Sequence, residues 1–280
     1  MTVAEALRAG TEFLERKGVD SPRLDTELLL AQALSLSRVE LYTQHDRPLS
    51  EAEEAAARGL LERRGRREPL AYVLGEWGFR RLILSTDSRA LVPRPETETV
   101  VERALALLDG VEAPRVVDVG TGSGAIALAI AHERPDARVT ATDVSPGALA
   151  LAGENAARLE LRVDFVETSL LAGVSGPFEL VISNPPYVSA GEIGALQAEV
   201  SEWEPRSALI DEGQTEALVP AAREVLAPGG ALVLEVHEGK AQSVADLVSS
   251  AGYSGTSITL DLAGRERVVE GCWQPTKSSR

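Results

Sequence analysis

The sequence predicts an α/β protein: a mainly parallel sheet covered by helices, preceded by a small helical domain. Three observations predict it. Roughly the first 70 residues carry helix caps and apolar residues at near-helical spacing. From residue 115 onward, short apolar runs alternate with helical stretches, the pattern of strands joined by crossover helices. Two late strand-like runs, 256–260 and 267–272, are linked by too few residues for a parallel crossover, so at least one must run antiparallel. A length of 280 residues accommodates one large and one small domain, and 44% hydrophobic with 25% charged residues is ordinary for a globular chain.

In the helical domain, residues 1–75, Thr2 with Glu5 and Ser50 with Glu53 match the Ser/Thr-x-x-Glu box that satisfies the orphan amides of a helix start. Ser21-Pro22 opens another helix, with proline at the first position. Leu24, Leu28, Leu29 and Leu34 predict its buried face. The run Arg63-Arg64-Gly65-Arg66-Arg67 closes the last helix, where cations suit the dipole; a basic run can alternatively touch RNA or an acidic partner. Residues 77–84 have strand-like content and predict a hairpin within a linker, 76–90. The large domain spans 91–280 and opens on Leu91-Val92-Pro93-Arg94-Pro95-Glu96-Thr97-Glu98, which two prolines make rigid and extended. Strands follow at 115–119, 138–142, 178–183 and 232–236, and helices at 125–133, 146–159 and 241–251.

Composition excludes several classes. No apolar run approaches the roughly 20 residues of a membrane helix. The start, Met1-Thr2-Val3-Ala4-Glu5, lacks a basic segment followed by an apolar one, and the single Cys272 cannot form an internal disulfide, which together predict a cytoplasmic protein. A formal charge of −15 argues against holding nucleic acid by neutralising phosphates. His45, His132 and His237 are scattered, and no His/Cys spacing suggests a metal.

Val116-Val117-Asp118-Val119-Gly120-Thr121-Gly122-Ser123-Gly124 is an apolar strand running into a glycine-rich turn and a helix, the layout of a nucleotide site. Gly120-x-Gly122-x-x-Ala125 also satisfies the dinucleotide pattern, so S-adenosyl-L-methionine and a nicotinamide cofactor both stay open. Asp143, at the end of the next strand, would accept the ribose hydroxyls; the plain alternative is a cap of the following helix.

Asn184-Pro185-Pro186-Tyr187 ends the strand 178–183, where open α/β sheets bind ligands. Two prolines make a stiff loop whose carbonyls are free acceptors. The Asn184 side-chain oxygen and the Pro185 carbonyl can take both N–H groups of a planar amide or amine, with Tyr187 packing on the flat group. Such a loop supplies geometry rather than basicity to methyl transfer onto nitrogen. The plain alternative is a strand-ending turn.

With these motifs in view the chain resembles, over nearly its whole length, the peptide-chain release factor glutamine methyltransferases, the HemK/PrmC family. Ser21-Pro22-Arg23-Leu24-Asp25, Glu68-Pro69-Leu70-Ala71-Tyr72, Leu74-Gly75, the stretch 92–98, the loop 120–124, Asn184-Pro185-Pro186-Tyr187, Glu204-Pro205-Arg206 and Asp261-Leu262-Ala263-Gly264-Arg265 carry the resemblance. It implies a seven-stranded, Rossmann-like class I methyltransferase domain using S-adenosyl-L-methionine, and a helical domain that recognises class 1 release factors. The methyl group would go to the glutamine side-chain nitrogen of a Gly-Gly-Gln motif. By position, Gly120, Thr121, Gly122, Ser123 and Gly124 would cradle the methionine part, Asp143 the ribose, and Leu170 the adenine. Asn184, Pro185, Pro186 and Tyr187 would hold the substrate amide, Asn184 lying near the methyl donor. The chain departs from the family in Ser169-Leu170, where an acidic residue usually precedes the hydrophobic one, in the run 210–215, and in His237, a frequent glycine.

Four other readings compete: glutamine methylation of a ribosomal protein, amino methylation of adenine or guanine in nucleic acid, a nicotinamide oxidoreductase, and a non-catalytic cofactor-binding scaffold. The negative charge weighs against the nucleic-acid reading, and the scaffold leaves the substrate loop unexplained.

Overall fold

The computed structural model describes residues 1–274, so 275–280 of the large domain lie outside the described residues. In chain order the elements are α1 (Val3–Arg16), α2 (Pro22–Leu34), α3 (Arg38–Thr43), α4 (Glu51–Gly65), α5 (Leu70–Leu74), β1 (Glu76–Phe79), β2 (Leu82–Ser85), α6 (Thr97–Leu107), β3 (Arg115–Val119), α7 (Ala125–Glu133), β4 (Arg138–Asp143) and α8 (Pro146–Arg158). Then come β5 (Asp164–Glu167), β6 (Phe178–Ser183), a 3-10 turn (Ile193–Ala195), α9 (Ala198–Ser201), α10 (Arg206–Leu209), α11 (Gln214–Val225), β7 (Leu226–Glu235), α12 (Ala241–Ser250), β8 (Tyr253–Leu260) and β9 (Glu266–Trp273). The chain parts into two units: Met1–Glu76 with Leu196–Trp203, and Trp77–Ala195 with everything from Glu204 onward.

The first unit is helical. Complete capping boxes open α1 (Thr2 with Glu5) and α4 (Ser50 with Glu53), and a third, Ser37 with Glu40, opens α3. Pro22 stands at the start of α2, but the Ser21 side chain makes no capping bond. The face expected of α2 is corrected: Leu29, Leu30 and Leu34 are buried whereas Leu24 is 43% exposed. Glu27 occupies the interior instead, its carboxylate accepting from Arg23 (3.2 Å), Arg38 (2.5 Å) and the Tyr42 hydroxyl. A buried carboxylate is tolerated only with such partners, which apolar periodicity does not register. The arginine run closing α4 is largely used internally. Arg63 pairs with Glu68; buried Arg64 bridges Asp25 (2.7 Å) and Glu199 (2.8 Å); Arg67 donates to both Glu199 oxygens (2.7 and 2.6 Å). Only Arg66 of the run is exposed.

The second unit holds a hairpin, β1-β2, and a seven-stranded sheet of order β5-β4-β3-β6-β7-β9-β8. Strands β3 to β7 pair in parallel; β9 runs antiparallel to both β7 and β8, as the short link before it requires. Residues alternate between two cores with the period of a strand. Val116, Leu180, Ile182 and Val233 pack on one face with Val100, Ala104 and Ile126; Val117, Val181, Leu232 and Leu234 pack on the other with Leu218, Ala222 and Val248. Two expectations are corrected. The stretch 91–98 is extended only over 91–94, because Thr97 already begins α6, and the polar edge strand β5 had no periodicity to announce it. No helix among the described residues is long and apolar enough to cross a membrane. From β3 the chain winds outward through β4 and β5, then returns to place β6 on the other side of β3. Such a reversal opens a crevice at the carboxyl ends of the strands.

Candidate active site

A cavity of about 700 Å³ lies at those ends, lined among others by Gly120, Thr121, Gly122, Ser123, Asp143, Leu170, Asn184, Pro185 and Pro186. The structure thus gathers at one wall most residues singled out in the sequence. Gly124 and Tyr187 do not line it. Gly124 acts one layer back: its φ is +85°, and a Cβ there would meet Leu128 Cδ1 at 2.9 Å and Ala152 at 3.1 Å, so only glycine lets the loop turn into α7. Gly120 also has positive φ, +74°, but a Cβ there would meet open space on the cavity side, room for a ligand to approach the backbone.

The loop hangs on buried polar anchors. Gly120 and Thr121 donate their N–H groups to the Thr142 carbonyl at 2.8 and 2.9 Å. Asp118 is fully buried at the end of β3; one oxygen accepts from the Thr121 hydroxyl (2.7 Å) and the Ala127 N–H (3.2 Å), and the other has no partner. Burial pushes its carboxyl up to about 7, hydrogen bonds from Thr121 and Ala127 opposing and the charge of Asp143 reinforcing. Asn155, wholly buried on α8, donates to the Ser123 and Ser85 carbonyls (3.0 and 3.1 Å) and accepts the Ser85 N–H (2.7 Å), fixing the loop to the hairpin. Each Asp143 oxygen accepts one backbone N–H, from Gly122 and from Ser145, both at 2.9 Å. A carboxylate oxygen has two acceptor sites, so each retains one that a ligand hydroxyl could use. Asp143 therefore braces the turns on both sides of it and still faces the cavity. Leu170, at φ +51°, accepts the Thr142 hydroxyl on its carbonyl at 2.9 Å.

The Asn-Pro-Pro-Tyr loop is fixed at both ends. Ser183 donates its hydroxyl to the Val119 carbonyl (2.7 Å), tying β6 to β3 where the loop starts. Beyond it, Val188 donates to Leu209 and accepts from Asp211, both at 2.9 Å. The Asn184 amide N–H₂ donates to the Thr97 hydroxyl at 3.3 Å. Tyr187 packs against His237, ring centroids 5.4 Å apart, and burial pushes its phenol up. Glu235 stands at the end of β7, 2% exposed, with its Oε2 unpartnered. Burial pushes Glu235 up to about 7. The motifs at 92–98, 204–206 and 261–265 meet nearby: Arg94 pairs with buried Glu204 (2.7 Å), and Arg265 bridges Glu96 (3.0 Å) and Asp261 (3.2 Å).

A class I methyltransferase cofactor fits this donor set: a glycine turn open on one side, a cavity-facing carboxylate with spare acceptor sites, and a cavity of sufficient size. Residues 5–75 match the family model of the PrmC N-terminal domain, and residues 102–202 that of the methyltransferase small domain. The release factor glutamine methyltransferase of Geobacter sulfurreducens is 43% identical over 277 residues, covering 96% of each chain, and that of Deinococcus radiodurans 46% over 275 residues, covering 96% of this chain and 98% of its own. The chain belongs to the release factor glutamine methyltransferase family. Two solved structures share its fold. A methyltransferase from Pyrococcus furiosus has TM-score 0.50 at 20% identity, covering 68% of this chain and 88% of its own. The T. thermophilus 16S rRNA N2 G1207 methyltransferase has TM-score 0.54 at 16% identity, covering 71% and 50%.

As a member of that family the chain is a methyltransferase whose cofactor is S-adenosyl-L-methionine, which settles the choice that the glycine loop left open between this cofactor and a nicotinamide. Sequence reasoning missed Asp118, Asn155 and Thr97. Asp118 had a local signal, a charge inside an otherwise apolar strand; the other two reach the site only through tertiary contacts.

Proposed function

We propose that the chain transfers the methyl group of S-adenosyl-L-methionine to the side-chain amide nitrogen of the glutamine in the Gly-Gly-Gln motif of class 1 release factors, acting in the cytoplasm. One observation carries the reading: Asn184, Pro185 and Pro186 line the same cavity as the Gly120–Ser123 turn and Asp143, in a chain whose near full-length relatives are release factor glutamine methyltransferases. The glycine turn and Asp143 hold the cofactor; Leu170 covers its adenine side. Asn184 Oδ1 and the Pro185 carbonyl accept the two amide N–H groups and fix the nitrogen in line with the methyl group, the entropic part of catalysis. Tyr187 braces the loop from behind through His237 rather than stacking on the amide. The cofactor supplies an electrophilic methyl: the N–C bond forms as the C–S bond breaks, sulfur keeps the electron pair, and the nitrogen sheds its proton to water. The helical unit recognises the release factor.

The test is incubation with isotopically labelled methyl donor and a mixture of release factors, ribosomal proteins, DNA and RNA, followed by mass-spectrometric mapping. Label on the glutamine of Gly-Gly-Gln is expected. Label on a ribosomal protein or a base, with none on release factors, overturns the reading.

A further inference from the structure

Segment 83–90, which closes the hairpin and leads into the large domain, is fastened to α8 at successive points. Arg158 donates to the Ile83 carbonyl, Asn155 pairs with both backbone groups of Ser85, and Glu154 takes Arg89 through bonds of 2.8 and 2.7 Å. Ala90 completes the seam against Ala148 and Leu151. The segment ends in the cavity wall: Arg89 and Ala90 line it, and a Cβ on Gly122 would lie 3.8 Å from that of Ala90. The end of the stretch expected as a linker thus stands beside the glycine turn.

Asn155 joins that wall to the turn. Its side chain is wholly buried and fully engaged: Nδ2 gives one hydrogen to the Ser85 carbonyl (3.1 Å) and the other to the Ser123 carbonyl (3.0 Å), while Oδ1 accepts the Ser85 N–H (2.7 Å). The exchanged orientation would set an oxygen against two carbonyls and an N–H₂ against an N–H, so the network admits only this one. The bond to Ser123 bears on the ligand. The peptide between Ser123 and Gly124 is held at both ends, its carbonyl by Asn155 and its N–H by the Thr121 carbonyl at 2.9 Å. A turn that receives a ligand on its backbone amides must keep its carbonyl oxygens, which are partly negative, away from the ligand's own oxygens. Here a buried side chain draws the Ser123 carbonyl back into the protein.

We infer that Asn155 is a positioning residue for cofactor binding and that the wall at Arg89 and Ala90 belongs to the cofactor site. Asn155 fixes the Ser123–Gly124 peptide and, through Ser85, sets the neighbouring wall at its distance from the turn. The inference rests on the reading that the glycine turn receives S-adenosyl-L-methionine. Two observations separate it from plain packing. Buried Ala148, Leu151, Ala152 and Ala156 already seat α8 without help from a polar residue. The backbone groups that Asn155 satisfies all belong to the two stretches of chain that supply adjacent cavity walls.

The experiment measures S-adenosyl-L-methionine affinity by calorimetry, kcat on a purified release factor, and urea unfolding for wild type, Asn155→Asp, Asn155→Ala and Arg89→Ala. Val248→Ala, a buried truncation on α12 outside the cavity lining, supplies a loss of stability unconnected with the turn. Ionised aspartate keeps an acceptor for the Ser85 N–H but has no hydrogen for the Ser123 carbonyl. Both Asn155 variants, while folded, should bind the cofactor about tenfold or more weaker, with kcat at saturating cofactor within about threefold of wild type. Arg89→Ala should weaken binding about threefold or more, and Val248→Ala should leave it unchanged. Affinity within about twofold of wild type in the folded Asn155 variants, equal weakening by Val248→Ala, or no effect of Arg89→Ala overturns the inference. Should neither Asn155 variant fold, Arg89→Ala, whose side chain is 34% exposed, decides alone. Asp143→Ala tells the two readings apart. Affinity unchanged there as well brings down the cofactor placement and this inference with it; affinity lost there and kept in the Asn155 variants brings down this inference only.

Discussion

Asp118→Asn should change how stability depends on pH, and by an amount the structure fixes. Asp118 is fully buried at the root of the glycine turn, with its carboxyl raised from 3.8 to about 7. Between those values the folded protein binds a proton that the unfolded chain has released, so its contribution to stability is fully present below pH 3.8 and is lost as pH rises through about 7. Between pH 5 and pH 8 the loss comes to about 2–3 kcal/mol. Asparagine is nearly isosteric, keeps an oxygen for the Thr121 hydroxyl and Ala127 N–H, and carries no charge to desolvate. All other titrating groups are common to both proteins, so the difference between their unfolding free energies isolates Asp118. Urea unfolding at intervals from pH 5 to pH 8 (about three pH units in all, enclosing the shifted value) should show the variant gaining on wild type by that amount. Curves that stay parallel would mean that Asp118 is already ionised in the fold and that burial does not govern it.

Asn184→Ala should retain S-adenosyl-L-methionine affinity and lose about a hundredfold in kcat on a release factor, because the Gly120–Ser123 turn and Asp143 are separate from the amide acceptors; equal turnover would sink the proposed substrate geometry. Asp143→Ala should weaken cofactor binding about tenfold to a hundredfold by calorimetry, through lost ribose contacts and released Gly122 and Ser145 amides, and unchanged affinity would place the ribose elsewhere. Arg64→Met leaves Asp25 buried without its cation and takes one of two cations from Glu199, so chemical unfolding should show about 3–5 kcal/mol less stability; a loss under about 1 kcal/mol would contradict the ion-pair description.

What could be read from the sequence was what is local in it. The strands β3 and β6 and the helix α7 come out at the expected residues because an apolar run followed by glycines, or by Asn-Pro-Pro, marks both an element and its end. That Asp143 and Asn184 line the cavity was legible because the ends of parallel strands are where such sheets open a crevice. Residues that hold these groups in place were not. Asn155 is 32 residues from the turn it fixes, and Thr97 is 87 residues from Asn184. Neither carries a mark of its partner. Periodicity also misjudged Leu24, because the interior of α2 admits Asp25 and Glu27 on the strength of cations from other helices. The arginine run left RNA or an acidic partner as an alternative to a helix end, because nothing local marks the carboxylates that engage it, one of them at residue 199.

That residue has a consequence for how the molecule is made. The helical unit is complete only with Leu196–Trp203, so the roughly 76 residues that leave the ribosome first carry a buried arginine, Arg64, whose second carboxylate has not yet been synthesised. At ordinary elongation rates the wait lasts on the order of ten seconds. The amino-terminal helices must therefore persist in an unfinished form while the sheet domain emerges behind them. For the same reason, cutting the chain at the end of α5 does not excise a whole module: the fragment lacks the strand of chain that closes it.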